Sequence, residues 1–266
     1  MCLLFVAFKT HPSHPLVVAA NRDEFFARET KHAHRWDEGL VAGRDGLAGG
    51  TWLGVSPQGG ARFAALTNRR GGASRKTASS RGELTTGFLT GTASALDYAA
   101  QIHAQGQDYA GFNLLVGDAD SLVYVSNEPG AEVRELIPGL YGLSNGALDE
   151  PWPKLARGKQ RFRDCLNTPA LVTDALLALM DDREKAADHE LPSTGLPLEL
   201  ERRLSPAFIE NDSAAAGPSG LDDYGTLCST ALITDVHGGF RFHERNFDRQ
   251  GKVSLSRLFV SPHVNA

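Results

Sequence analysis

The chain has 266 residues, with 27 Lys+Arg against 32 Asp+Glu, a net charge of −5 and three cysteines. Hydrophobic residues at 41% and charged residues at 22% put it in the globular range, with enough apolar side chains for a sizeable core. That balance excludes disorder, coiled coil and collagen-like repeats. The basic residues are scattered, which argues against nucleic acid as a partner, because phosphate binding needs a concentrated positive surface.

The apolar start, Met1 to Phe8, ends at Lys9 without a basic lead-in. It is too short and wrongly flanked for a signal peptide, and far too short to span a bilayer. Cys2, Cys165 and Cys228 are widely spaced, with no C-x-x-C pair. An odd, dispersed set argues against a disulfide framework and for a reducing compartment, so the expected location is the cytoplasm.

Leu3–Phe8 and Leu16–Ala20 are continuous apolar runs, predicted as strands covered on both faces. Thr51–Val55 and Arg62–Thr67 read as further strands. Two short amphipathic helices are expected within Arg81–Ala104, on Leu84, Phe88 and Leu89 and then on Leu96, Ala99, Ala100 and Ile102. Strands Phe112–Val116 and Leu122–Ser126 come next. A helix over Trp152–Leu166 follows, with Lys154, Arg157, Lys159, Arg161 and Arg163 assigned to its wet side, and another over Leu171–Met180. Residues 186–220 carry Pro192, Pro197, Pro206 and Pro218 and end in an Ala/Ser/Gly-rich stretch, so they are predicted as a flexible loop. Strands Leu227–Thr234, Phe240–Glu244 and Val253–Val260 close the chain. The order of elements predicts one α+β domain over residues 1–266, with sheets packed together and helices outside.

Cys2 is the most informative residue. Once Met1 is removed, its α-amine, with a reference pKa of ~7.7–8.0, accepts the thiol proton, and one residue supplies both nucleophile and base. The alternative is a small buried residue opening a strand. Asn21-Arg22-Asp23-Glu24 follows a buried strand directly. Strand alternation puts Asn21 and Asp23 on one face and Arg22 and Glu24 on the other. A carboxylate there orients an ammonium or thiol, and a guanidinium binds an anion; solvated turn charges are the alternative. Asn68 and Asn145 each end an apolar strand, where an amide suits either an oxyanion donor or a turn cap. His32-x-His34 and His11-x-x-His14 lack a third ligand nearby, so no metal site is expected.

These segments resemble the NRDE family, the family of the transport and Golgi organisation proteins. The matching stretches are Met1-Cys2, Asn21-Arg22-Asp23-Glu24, Ala48-Gly-Gly-Thr-Trp52-Leu-Gly54, Thr67-Asn68-Arg69, Gly111-Phe-Asn-Leu114, Tyr141-Gly-Leu-Ser-Asn145, Leu148-Asp-Glu-Pro-Trp-Pro-Lys154, Leu191-Pro-Ser-Thr-Gly195, Leu204-Ser-Pro206, Tyr224-Gly-Thr226 and Glu244-Arg245. They cover essentially the whole chain. The family is similar in turn to the N-terminal-nucleophile hydrolases of the penicillin V acylase and bile salt hydrolase type. That resemblance implies a four-layer αββα sandwich with Cys2 as nucleophile, Asp23 as its polar partner, and Asn68 and Asn145 as oxyanion and α-amine contacts. Asn21, Arg22 and Trp52 are the implied substrate contacts. The chain departs from the acylase pattern in having Arg22 next to Asp23, and Leu227 stands where the family often has an arginine.

Two functions follow from the resemblance. One is a cysteine amidohydrolase that cuts a C–N amide of a small molecule and needs no cofactor. The other is a carrier without turnover, its ligand haem or an acyl-coenzyme A, as the family's association with haem trafficking and lipid handling implies. No C-x-x-C-H for covalent haem is present.

Overall fold

The computed structural model describes residues 2–70, 79–118, 120–168, 170–211 and 221–261. Within them, β1 (Cys2–Phe8) and β2 (Leu16–Phe25) form an antiparallel hairpin at the heart of a six-stranded sheet. It is completed by β10 (Gly139–Leu143), β11 (Tyr224–Thr234), β12 (Phe240–Phe247) and β13 (Val253–Val260), in the order β10-β1-β2-β11-β12-β13. The second sheet is a seven-stranded antiparallel meander in chain order. It runs through β3 (Thr30–Arg35), β4 (Val41–Asp45), β5 (Leu53–Ser56), β6 (Arg62–Asn68), β7 (Phe112–Gly117), β8 (Leu122–Ser126) and β9 (Arg134–Glu135).

The period of two in β-strands explains the packing. Leu4, Val6 and Phe8 of β1 and Leu16, Val18 and Ala20 of β2 point to the other sheet, where they meet Leu53, Val55, Phe63, Ala65 and Leu115. Their neighbours Leu3, Phe5, Ala7, Val17 and Ala19 point the other way, onto α3 (Pro153–Leu166) and α4 (Thr173–Leu179) through Leu155, Phe162, Leu176 and Leu177. On the meander, Ala64, Leu66, Leu114 and Val116 pack outward against α1 (Gly82–Thr90) and α2 (Ala95–Ala104) through Leu84, Phe88, Ala99 and Ile102. Both central strands are therefore apolar on both faces. The molecule is mixed α+β, and none of its described helices is long and apolar enough to cross a membrane.

Several expectations are corrected. The Asn21–Glu24 segment lies inside β2 rather than after it, because β1 and β11 both hydrogen-bond to it. Strands β3 and β4 carry too little apolar alternation to be anticipated; their outer residues Lys31, His32 and Arg44 are exposed. In the region read as a loop, residues 198–203 form a helix, α5 (Leu198–Arg203), with Glu201 buried. The Ala/Ser/Gly-rich stretch 212–220 lies outside the described residues. Lys154 is not on the wet side of α3 but buried, its ammonium donating to Leu204 O.

Helix α3 sits close to the sheet because Gly158 has no side chain. A Cβ there would overlap the Phe5 ring, which occupies that space. Ala for Gly in an open helical position stabilises by up to about 1 kcal/mol. Here the overlap reverses the sign, and Gly158→Ala should lose ~1–3 kcal/mol. A urea midpoint at or above that of the unmodified protein would contradict this.

Candidate active site

The antiparallel register puts Cys2 opposite Arg22, Arg22 opposite Cys228, and Cys228 opposite Asn246. These four residues form one row across β1, β2, β11 and β12, and all four line the same cleft. The cleft, of ≈ 570 Å³, opens at one end of the two sheets; β3, β4 and the β5–β6 segment form its opposite wall with Thr30, Arg44, Asp45, Trp52 and Asn68. That volume lies within the ~300–1,000 Å³ typical of small-ligand sites. A register shift at Thr226/Cys228 leaves Leu227 and Cys228 together on the cleft and turns Thr226 to the back of the sheet.

Each predicted site residue has a definite place. Cys2 is half-buried on the cleft floor, and burial pushes its thiol up to about 11, with Asp23 adding to the rise and Arg22 opposing it. Its carbonyl oxygen accepts from Ser144 Oγ at 3.1 Å. Asp23, 1% exposed, accepts from Thr226 Oγ1 at 2.7 Å, and Thr226 Oγ1 itself accepts from Ile209 N at 2.8 Å. Burial raises the Asp23 carboxyl above its ordinary value, and the charges of Lys154 and Arg22 pull against that rise. Arg22 shares the face of Cys2 and lies 3.8 Å from Glu24 and 3.7 Å from Asp45, so it is both a cleft residue and an ion-pair member.

Asn68 lines the cleft, and among the described residues its side-chain amide makes no hydrogen bond; its carbonyl accepts from Asn145 Nδ2 at 2.7 Å. Asn145 is buried behind it and does not line the cleft. Asn21 faces the helices. Its Nδ2 donates to Met180 O and Ala207 O at 2.9 and 2.8 Å, and its Oδ1 accepts from Ser229 Oγ, so it ties β2 to the helical layer and is remote from the cleft. Trp52 lies partly buried in the cleft wall.

The comparisons with known proteins agree with the sequence motifs. The profile of the Transport and Golgi organisation 2 family matches residues 1–249. The chain belongs to this family. A Bos taurus Transport and Golgi organization protein 2 homolog is 36% identical over 266 aligned residues, covering 92% of this chain and 93% of its own. The Homo sapiens homolog is 34% identical over 261 residues with the same coverage. The Drosophila melanogaster Transport and Golgi organization protein 2 is 31% identical over 181 residues, covering 61% of this chain and 64% of the fly protein.

Two residues of this family member were missed as site residues in the sequence. Arg81, placed in the first turn of a helix by its pattern, lines the cleft. Lys154, 3% exposed, donates from Nζ to Leu204 O at 2.9 Å, and its charge acts on Asp23, Glu201, Arg70 and Cys2. Glu201 in turn accepts from Arg70 Nη1 at 2.9 Å and from the Thr194 hydroxyl. A buried charged cluster therefore backs Asp23 from α3, α5 and the end of β6. The sequence signal for it was Pro153 next to a lysine in the first turn of a helix, where a cation is disfavoured unless something compensates.

Burial lowers the Lys154 ammonium from 10.5 to about 8, while an unfolded lysine keeps its proton to its ordinary value. Between about pH 8 and 10.5 the unfolded state binds the extra proton, so this residue adds stability as pH rises. The stability of the unmodified protein relative to Lys154→Met should therefore increase across that window. The raised Cys2 thiol, which acts with the opposite sign there, is common to both chains. Urea unfolding of both proteins at pH 7.5 and 10 reads the difference, and a constant gap would refute the assignment.

Proposed function

We propose that this protein is a cysteine amidohydrolase of the N-terminal-nucleophile kind, acting on a C–N amide of a small molecule. The observation that carries the reading is the position of Cys2 at the start of β1, on the floor of a polar cleft and beside the buried Asp23. The arrangement of helices outside two facing sheets supports the four-layer αββα assignment. A thiol with its pKa at about 11 is almost wholly protonated at neutral pH, so the reaction needs a base next to it. Removal of Met1 supplies one.

The freed α-amine of Cys2 takes the Sγ proton as sulfur bonds to the amide carbon. The Asn68 amide, without a hydrogen-bond partner among the described residues, donates to the oxyanion; one such donor is worth ~2.7–4 kcal/mol. As the tetrahedral intermediate collapses, the C–N bond breaks and the α-ammonium returns its proton to the leaving nitrogen. Water, losing a proton to the amine, then attacks the thioester, and the acid leaves as the thiol is restored. Asp23 orients the ammonium. Asn145 positions Asn68 through the latter's carbonyl, Arg22 and Trp52 bound the substrate, and Asn21 braces the strand from behind. Haem suits this cleft poorly: a porphyrin buries a broad apolar face, whereas five basic and five acidic side chains line these walls.

The intact mass of protein from its natural host should lack methionine. Cys2→Ala should keep its unfolding free energy within about 1 kcal/mol of the parent, and lose hydrolysis of a panel of N-acyl p-nitroanilides and acyl thioesters. Equal hydrolysis by the variant would overturn the reading. Retained methionine, together with saturable acyl-coenzyme A binding undiminished in Cys2→Ala, would point to a carrier.

A further inference from the structure

Several charged side chains of the cleft are committed to ion pairs, to backbone groups or to a neighbouring ring. Arg28 Nε donates to Asp45 Oδ2 at 2.7 Å, and Arg22 reaches both Asp45 and Glu24. Asp45 also accepts from the backbone of Leu47 and Ala48. Glu244 accepts from Ala33 N at 2.7 Å and from Asn246 Nδ2 at 3.0 Å. Arg44 lies over the Trp36 ring and donates to Gly49 O.

Arg81 differs from these. It immediately precedes α1, is half-buried, and donates from Nη1 to Gly111 O at 3.1 Å. Among the described residues no carboxylate stands within ion-pairing distance of it. Desolvation works against its charge, and the two groups that favour the charge are Cys2 first and Glu24 second. Its side chain lines the same cleft as Cys2, anchored through one N–H, and among the described residues the rest of its planar five-donor fork has no hydrogen-bond partner.

We propose that Arg81 is the anion receptor of the cleft, holding a carboxylate or another oxyanionic group of the substrate beside the Cys2 sulfur. The proposal rests on the reading of Cys2 as nucleophile and names the substrate class of that site: amides that carry an anionic group close to the scissile carbonyl. The fork geometry suits a bidentate carboxylate, and a partly desolvated guanidinium gains most from a charged acceptor. The ion pairs on Arg22 and Arg28 serve this selectivity, because they neutralise Glu24 and Asp45, which would otherwise repel an incoming anion.

The test compares iodoacetate, which carries a carboxylate next to its reactive carbon, with neutral iodoacetamide. With either reagent, the Cys2 sulfur forms a C–S bond as iodide leaves. Rates at Cys2 are followed by peptide-resolved mass spectrometry on the native protein, with free glutathione as reference. The iodoacetate-to-iodoacetamide rate ratio at Cys2 should exceed that of glutathione by about tenfold. Arg81→Gln should return it to the glutathione value, and Arg81→Lys should keep part of the excess. A reactive Cys2 with no preference in the unmodified protein overturns the proposal alone, without need of any variant. Equal slowing of both reagents in Arg81→Gln also overturns it, since Arg81 would then act on thiol ionisation. A Cys2 inert to both reagents in the native protein, yet alkylated when unfolded, overturns the nucleophile reading and the proposal with it.

Discussion

The cleft depends on the register of β1 against β2. Cys2 faces Arg22 because Leu4 is paired with Ala20 and Val6 with Val18, and those apolar pairs are buried between the sheets. A slip of one residue would turn every β1 side chain to the opposite face, sending Cys2 to the helices and Leu3 and Phe5 into the space between sheets. The burial of Phe5 against Phe162 and Gly158 resists that slip from the other side. The hydrophobic pattern of one hairpin thus positions a thiol that lies just beyond the last of those contacts.

A second constraint acts behind the sheet. Asp23 lines the cleft yet is almost wholly buried, its carboxylate accepts from Thr226, and the Lys154 charge acts on it from the helical side. Removing two opposite charges from water costs several kcal/mol per ion unless geometry and hydrogen bonds compensate. Here Leu204 O receives the ammonium, Thr226 donates to the acid, and Arg70 with Glu201 extends the cluster to α5. The segment from 186 to 211 is thereby fastened to the back of the site by polar contacts as well as by its buried apolar side chains, Leu204 and Ile209 against Tyr224 and Phe208 against Phe247.

On the cleft side the same economy gives a different result. Acidic and basic side chains occur in equal number, and Arg22, Arg28, Glu24 and Asp45 cancel one another in ion pairs. What distinguishes the local field near Cys2 is therefore not net charge but which groups are left out of the pairing. Asn68, whose amide has no hydrogen-bond partner among the described residues, and Arg81, half-buried and without a carboxylate partner among the described residues, stand apart in this way.

The sequence by itself determined the α+β class, the two central strands buried on both faces, four of the five α-helices among the described residues and the family. Each of these is written in local periodicity or in short motifs, which need no knowledge of distant partners. It also separated the faces of the Asn21–Glu24 segment correctly, since strand alternation is a local property. Only the tertiary structure decided what each face meets. Asn21 was grouped with substrate contacts, yet its face meets the carbonyls of Met180 and Ala207, more than 150 residues away. Lys154 looked like a solvated helix charge, but it is buried and its ammonium meets the carbonyl of Leu204, 50 residues away. Arg81 looked like an ordinary helix-terminal residue, and became a cleft residue because Gly82 packs against Gly50 and Thr51. Burial of a charge is set by the chain segment that arrives from elsewhere, and no local pattern carries that information.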